Sequence, residues 1–376
     1  MNTVLTSKKL TSTKLTSKKL TSKQWGRVGL HAVLLIVVIW SILPFLWTFQ
    51  TSIKFTRDVA SRTPVLWGYD TTASAYRAFW LGDDDINLWG VLAYMIATAL
   101  IAGALAIIGR RSRVSWPWYL GVVAVLGLAL WRFPAIWETS TEYRFLVNSI
   151  VVTVLTVIIS MTIGLLAGYG LARYTGISGA VILIVALGFR ALPRTAFVLP
   201  YFFGATKIDS WLNSSGVGRW DFPLIDFPFL DELKILDTRL AIVLALVAVN
   251  QPFTIWMFRS FFMDVPREIE EAAMMDGAGR LEAFRKVIIP MMWPAIIATG
   301  LFTLLLAYNE YLFVRVLAPT NWTLPVAIVS LTGGESSRTI TEGAAASVSI
   351  TIPIVIVIVL FQKHLVKGLG AGAVKG

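Results

Sequence analysis

Cysteine is absent from all 376 residues. Disulfides, thiolate nucleophiles and cysteine-based metal sites are therefore excluded, and the redox state of the compartment cannot be read from thiol usage. Histidine is scarce as well. His31 opens the first apolar run and His364 lies near the C-terminal end, so a His-centred triad or metal cluster has little to build on. No Gly-x-x-x-x-Gly-Lys-Ser/Thr segment is present to cradle a nucleotide phosphate. Charged residues make up only 15% of the chain, and the formal net charge of +11 comes from Lys and Arg in short connections and termini. A basic face interleaved with aromatics is lacking, which argues against a nucleic-acid partner.

What the chain has in quantity is apolar surface: 56% of its residues are hydrophobic, far above ordinary soluble usage. A helix rises about 1.5 Å per residue, so roughly twenty apolar residues cross a hydrocarbon core of about 30 Å. Runs of that kind occur at Val28 to Phe49, Leu88 to Ile108, Trp116 to Trp131 (extendable to Trp137), Val147 to Tyr169, Ile177 to Phe203, Leu240 to Phe262, Ala295 to Val316 and Ala344 to Phe361. An all-α polytopic membrane protein with about eight spans is predicted. The expected organisation is a basic tail over 1–27, a first span over 28–50, an external loop over 51–87, a hairpin of two spans over 88–137, and a core over 145–376.

Placing the N-terminus inside puts the Arg110 cluster, Arg173, the stretch from Asp264 to Pro294 and the C-terminus inside too, in keeping with the positive-inside bias. The run Asp83-Asp84-Asp85 and the segment Trp220 to Phe229 then fall outside. Residues 5–24 repeat a Leu-Thr-Ser unit every five positions, with no helical or strand stripe, and read as a disordered basic tail near anionic headgroups. Ser160, Gly164, Gly168 and Ala172 recur at steps of four, a small-residue stripe that lets a second helix approach closely. Pro193, Pro252 and Pro353 lie within apolar runs, where each removes a backbone donor and predicts a kink or break.

Between the sixth and seventh runs, residues 264–294 read as helix, turn, helix. Asp264 and Pro266 suit a helix start, and Glu268, Glu270 and Glu271 suit the positive end of its dipole. Gly277 is placed to accept a left-handed stop. In the second limb Leu281, Phe284 and Ile288 follow the helical stripe, while Glu282, Arg285 and Lys286 face elsewhere. Physics alone leaves two readings open, a helix lying on the membrane surface or a docking element.

The spacing Glu271-Ala272-Ala273, Gly277, then Val287-Ile288-Ile289-Pro290 resembles the EAA loop of ABC importer permeases. Further matches are similar to the carbohydrate branch of that family, specifically the maltose-type second permease. These are Gln251-Pro252-Phe253, Phe258-Arg259-Ser260-Phe261-Phe262, Asp276-Gly277-Ala278, Tyr308-Asn309-Glu310-Tyr311 and the Gly-Ala-Val-Lys-Gly ending at Gly376. The resemblance implies a six-helix permease core with two inserted helices, in a bacterial inner membrane. It also implies a coupling helix with Glu271, Ala272, Ala273, Asp276, Gly277 and Pro290 at an ATPase. The partners implied are a second permease, two ATP-binding subunits that hold ATP and Mg, and an external solute-binding protein, with membrane lipid around the chain. The enlarged N-terminal half is similar to importers of α-glucosides or glucosylglycerol.

Asn250, Gln251, Asn309 and Glu310 lie in or near spans, where polar groups face protein or a water-filled cavity. They are candidates for a translocation path, with interhelical hydrogen bonding as the competing reading. Arg190 and Arg194 flank Leu192-Pro193 and are candidates for the same path, for a structural ion pair or for snorkelling to the outer surface. The rival functional class, an ion-coupled carrier, calls for matched inverted halves and intramembrane carboxylates, of which Glu310 is the one deep example. An intramembrane enzyme lacks a paired-carboxylate, Cys or His site to run on.

Overall fold

Apolar segments that must satisfy every backbone group without water fold as helices, and helices dominate the computed structural model. It describes residues 22–63, 65–82, 88–111, 116–136, 140–173, 176–215, 234–332 and 337–373. Most of the basic repeat, the Asp83 to Asp85 run, Trp220 to Phe229 and Val374 to Gly376 lie outside the described residues. Among the described residues there is no strand, only an isolated antiparallel bridge between Lys54 and Thr71.

The helices are α1 (Ser22–Ser52), α2 (Thr56–Val59), α3 (Ser74–Leu81), α4 (Leu88–Arg111), α5 (Trp116–Ile136), α6 (Thr141–Arg173), α7 (Ile177–Ala191), α8 (Arg194–Ser214) and α9 (Arg239–Asp264). They continue with α10 (Arg267–Met275), α11 (Arg280–Ala283), a π-turn over Phe284–Ile288, α12 (Ile289–Met291), α13 (Trp293–Tyr308), α14 (Leu312–Leu317), α15 (Leu324–Thr332) and α16 (Ser337–Ala373). Among the described residues, five stretches are long and apolar enough to cross a membrane: Gly29–Ser52, Trp89–Arg111, Thr141–Arg173, Arg239–Asp264 and Arg338–Lys363. Two bent pairs bring the number to seven if each counts as one span. In α5 the described apolar stretch, Gly121–Leu130, is shorter.

Two of the predicted spans are not continuous. Ile177 to Phe203 breaks at Leu192-Pro193 into α7 and α8, which meet at 100°. Proline disfavours helical geometry at the residue before it, and Leu192 is extended at φ −68°, ψ 150°. Ala295 to Val316 is likewise interrupted, because α13 stops at Tyr308 and α14 starts at Leu312. The helices around Pro252 and Pro353 run on unbroken instead, in α9 and α16.

The principal helix pairing is α6 with α9. The small-residue stripe makes it possible: Ser160, Gly164, Gly168 and Ala172 are all buried. A Cβ on Gly168 would sit 2.7 Å from Phe258 Cβ and 2.9 Å from the backbone nitrogen of Arg259, so only glycine admits α9 at this separation. Phe258 and Phe262 fill the space beside the stripe. A second cluster joins α6, α8, α9 and α14 through Val152, Val198, Ile242, Leu246 and Phe313. A third ties α3 to α15 and α16 through Phe79, Leu324, Ile328 and Ala346.

Asp237, the one non-glycine residue with positive φ (62°) among those described, locks the entry to α9. Its carboxylate accepts from the backbone nitrogens of Thr320 (2.9 Å) and Asn321 (3.3 Å), and its own N–H donates to Leu317 O at 2.7 Å.

Candidate functional site

The hairpin after α9 has two chemically different sides. Helix α10 begins at Arg267, directly after Pro266, and Asp264 is the last residue of α9. The helix ends in a Schellman arrangement: Ala278 N donates to Ala273 O at 3.1 Å and Gly277 N donates to Met274 O at 3.1 Å. That reversal needs a left-handed residue, and Gly277 supplies it at φ 91°.

The inner side is welded to the bundle. Glu270 is buried and accepts from Arg173 Nε at 2.8 Å and from the Tyr169 hydroxyl, both on α6. Arg173 also reaches back to the carbonyls of Phe262 and Val265, at the end of α9 and just past it. In the second limb Ala283, Phe284 and Ile288 are buried among Phe258, Phe262 and Met292. Tyr169 packs on Phe284 with ring centres 4.5 Å apart. Burying Phe284 and Ile288 contributes about 1.5–3 kcal/mol each by area. Leu281 corrects the predicted stripe. It is 75% exposed, because Ala283 takes the inward position ahead of the π-turn.

The outer side carries Glu271, Ala272, Asp276, Gly277 and Pro290, all exposed, with Ala273 half-buried. Next to them stand Met275, 87% exposed, and Leu281. A rigid hairpin thus holds small, acidic and apolar groups outward while its inner face is fixed to two long helices.

The path candidates separate into two groups. Arg194 at the start of α8 pairs with Glu310 in the break between α13 and α14, and Glu310 is only 3% exposed. The other Glu310 oxygen accepts from Leu312 N (3.1 Å) and Phe313 N (3.3 Å), capping α14. Both residues hold the two breaks together. Arg190 at the end of α7 lies with its guanidinium 4.5 Å from the Phe253 ring centre on α9. Gln251 donates to Ser160 O at 3.3 Å and accepts from Thr254, while Asn250 is buried and Asn309 is exposed, donating to Leu305 O at 3.0 Å. Hydroxyls of Thr156, Ser160, Thr254, Thr299 and Thr303 are buried on α6, α9 and α13.

Sequence reasoning missed Glu270, Tyr169 and Arg173 as a unit. The available signal was Arg173 in the last turn of α6, where a cation suits the helix dipole, and a glutamate one residue ahead of the Glu-Ala-Ala triplet.

These features define an all-α polytopic membrane protein with a fixed, outward-facing helix-turn-helix after its central helix pair. The family described as binding-protein-dependent transport system inner membrane component matches residues 160–370, and the chain belongs to that family. Among relatives, a probable ABC transporter permease protein of Sinorhizobium fredii is 30% identical over 245 residues, covering 65% of this chain and 78% of that protein. The trehalose/maltose transport system permease protein MalG of Thermococcus litoralis is 31% identical over 234 residues, 62% and 75% of the two chains. The diacetylchitobiose uptake system permease protein DasC of Streptomyces coelicolor is 28% identical over 246 residues, 64% and 79%. In fold, the chain is similar to a bacterial ABC transporter involved in the import of the acidic polysaccharide alginate. That match has a TM-score of 0.56 and 20% identity, and covers 92% of this chain and 98% of the other.

Proposed function

We propose that this chain is the sugar-conducting permease of an ATP-driven importer, and that the outer face of α10 is where an ATP-binding subunit docks. The observation that carries the reading is the two-sided hairpin. Glu270, Phe284 and Ile288 fix it to α6 and α9, while Glu271, Ala272, Met275 and Leu281 stand free of the rest of the chain. A partner that grips the outer face and moves as a rigid body drags α6 and α9 with it. ATP and Mg belong to that partner, present in two copies, beside a second permease and an external solute-binding protein. Both termini lie on the ATP side.

The relatives that transport trehalose, maltose and diacetylchitobiose support a saccharide as the solute. A relative that transports sulfoquinovosyl glycerol supports tolerance of a glycosyl-glycerol, in line with an α-glucoside or glucosylglycerol-like substrate. Asn250, Gln251 and Asn309 supply hydrogen-bonding groups suited to sugar hydroxyls, and Arg190, over the Phe253 ring, supplies a cation.

Reconstituted complexes carrying Glu271→Lys or Ala272→Trp test the docking assignment. The expected result is a normally assembled permease whose ATP hydrolysis no longer drives solute uptake. Unchanged uptake per ATP in both variants overturns it. Which sugar stimulates hydrolysis, when presented by the cognate binding protein, identifies the solute.

A further inference from the structure

A cavity of about 1060 Å³ opens between α3, the α4–α5 hairpin and the start of α6. It is at the upper end of the roughly 300–1,000 Å³ typical of small-molecule sites. All of its lining precedes residue 160, where the family match begins, so none of it falls in the matched segment.

Its walls are fixed by specific contacts. Pro134 on α5 has no N–H, so the Leu130 carbonyl one turn earlier loses its helical donor. The Tyr143 hydroxyl on α6 supplies the missing bond to Leu130 O at 2.5 Å. On the other side Tyr94 of α4 donates to Ala129 O at 2.9 Å. With both hydroxyls spent on α5, the two tyrosines and Phe133 give the lining an aromatic cluster: Phe133 stacks on Tyr143 at 5.1 Å and lies 6.0 Å from Tyr94. The floor, α3, is held to α16 by Trp80 Nε1 donating to Ser349 at 3.0 Å.

The lining is amphipathic along its length. Thr72, Ser74 and Arg77 gather at the α3 end, whereas Ala99 and Leu126 line the far end. On α4 the lining runs from Val91 to Ala99. At about 1.5 Å per residue that is roughly 12 Å, close to the depth of one leaflet of a core about 30 Å thick. Met95 and Leu126 line the cavity yet remain exposed, so it is open sideways. A sugar would find almost no hydrogen-bonding groups beyond the Arg77 end.

We infer that this cavity holds one membrane glycerophospholipid with an anionic headgroup, its phosphate at Arg77 and an acyl chain against Tyr94, Phe133 and Leu126. The inserted hairpin is then a lipid-sealed attachment to the transport core. Arg77 sets headgroup preference, and the apolar end sets retention.

Native mass spectrometry of the intact, detergent-purified importer tests this, with phosphatidylglycerol or phosphatidylcholine added back after delipidation. Wild type is expected to retain one phosphatidylglycerol in preference to phosphatidylcholine. Arg77→Gln is expected to reduce that preference about fivefold, as one basic side chain near a headgroup warrants. Ala99→Trp, which fills the apolar end, should abolish retention of both lipids. A second readout does not depend on tolerance of that tryptophan. Because the chain has no cysteine, Thr98→Cys carries a single fluorophore, and brominated phosphatidylglycerol at one equivalent should quench it before a fluorophore at Leu100→Cys. Equal retention of the two lipids by wild type, or equal quenching at both positions, overturns the proposal. So does a crosslink from Thr98→Cys to the second permease, which would show that a protein segment fills the cavity.

Discussion

Glu270 on α10 and Arg173 on α6 meet at 2.8 Å, both largely buried, and this contact fixes the hairpin to the α6–α9 pair. The Tyr169 hydroxyl donates to the other Glu270 oxygen, so each carboxylate oxygen has a partner. A buried charge left without its partner is costly, so the pair tolerates no single truncation.

Glu270→Ala should therefore lower the stability of the folded permease by about 3 kcal/mol, the range for breaking a buried ion pair. Arg173→Ala should cost a similar amount, and the double variant no more than either single one. Thermal unfolding of the purified permease in detergent measures all three. Additive losses would show that the two side chains act independently.

Gly168 and Gly170 are two residues apart on α6 and predict opposite outcomes. Alanine at Gly168 meets the backbone of α9 at 2.9 Å, whereas nothing lies within 4 Å of a Cβ at Gly170. Gly168→Ala should destabilise by about 1–3 kcal/mol through overpacking. Gly170→Ala should be neutral or slightly stabilising, since alanine is the better helix former. The same unfolding assay compares them.

Gly277 has open space around it, so its constraint is purely conformational. Gly277→Ala at φ 91° should cost about 1–2 kcal/mol, and Gly277→Asn less, because asparagine visits the left-handed region more readily. Hydrogen exchange of the Ala278 amide, which closes the turn on Ala273 O, reports the loosening.

Arg194→Ala should leave Glu310 buried without its cation and cost more than Glu310→Gln, which keeps an acceptor oxygen for capping α14. If the pair fixes the two helix breaks, both variants lower thermal stability while substrate selectivity is unchanged. A shift in which sugars are transported, with stability intact, would place the pair in the path instead.

Much of this architecture could be read from local pattern. The stop at Gly277 depends on one residue's backbone freedom, and the Gly164 and Gly168 stripe on spacing along a single helix, so both were legible. Whether Pro193 would break its helix while Pro252 would not was illegible, because the outcome rests on neighbours in space. Pro252 lies in α9, the most buried of the five continuous spans, whereas Leu192 and Pro193 are exposed; Pro353 is exposed too and α16 runs on through it, so exposure alone does not decide the outcome. Leu281 reads as part of the buried stripe from its spacing to Phe284, but Ala283 also faces inward, and that orientation of the turn leaves Leu281 outside. Glu270 and Glu271 are indistinguishable by composition. Only the approach of α6 separates the anchor from the outward-facing group.

The claim that matters most is that the outer face of α10 meets an ATP-binding subunit. A benzophenone attached at Ala272→Cys, in the otherwise cysteine-free chain, tests it by photocrosslinking in native membranes, with Val355→Cys on the exposed face of α16 as control. A crosslink from position 272 to the ATP-binding subunit that changes in yield when ATP is added is expected, and none from position 355. Labelling of lipid alone from position 272 would mean that the hairpin lies on the membrane surface, and would contradict it.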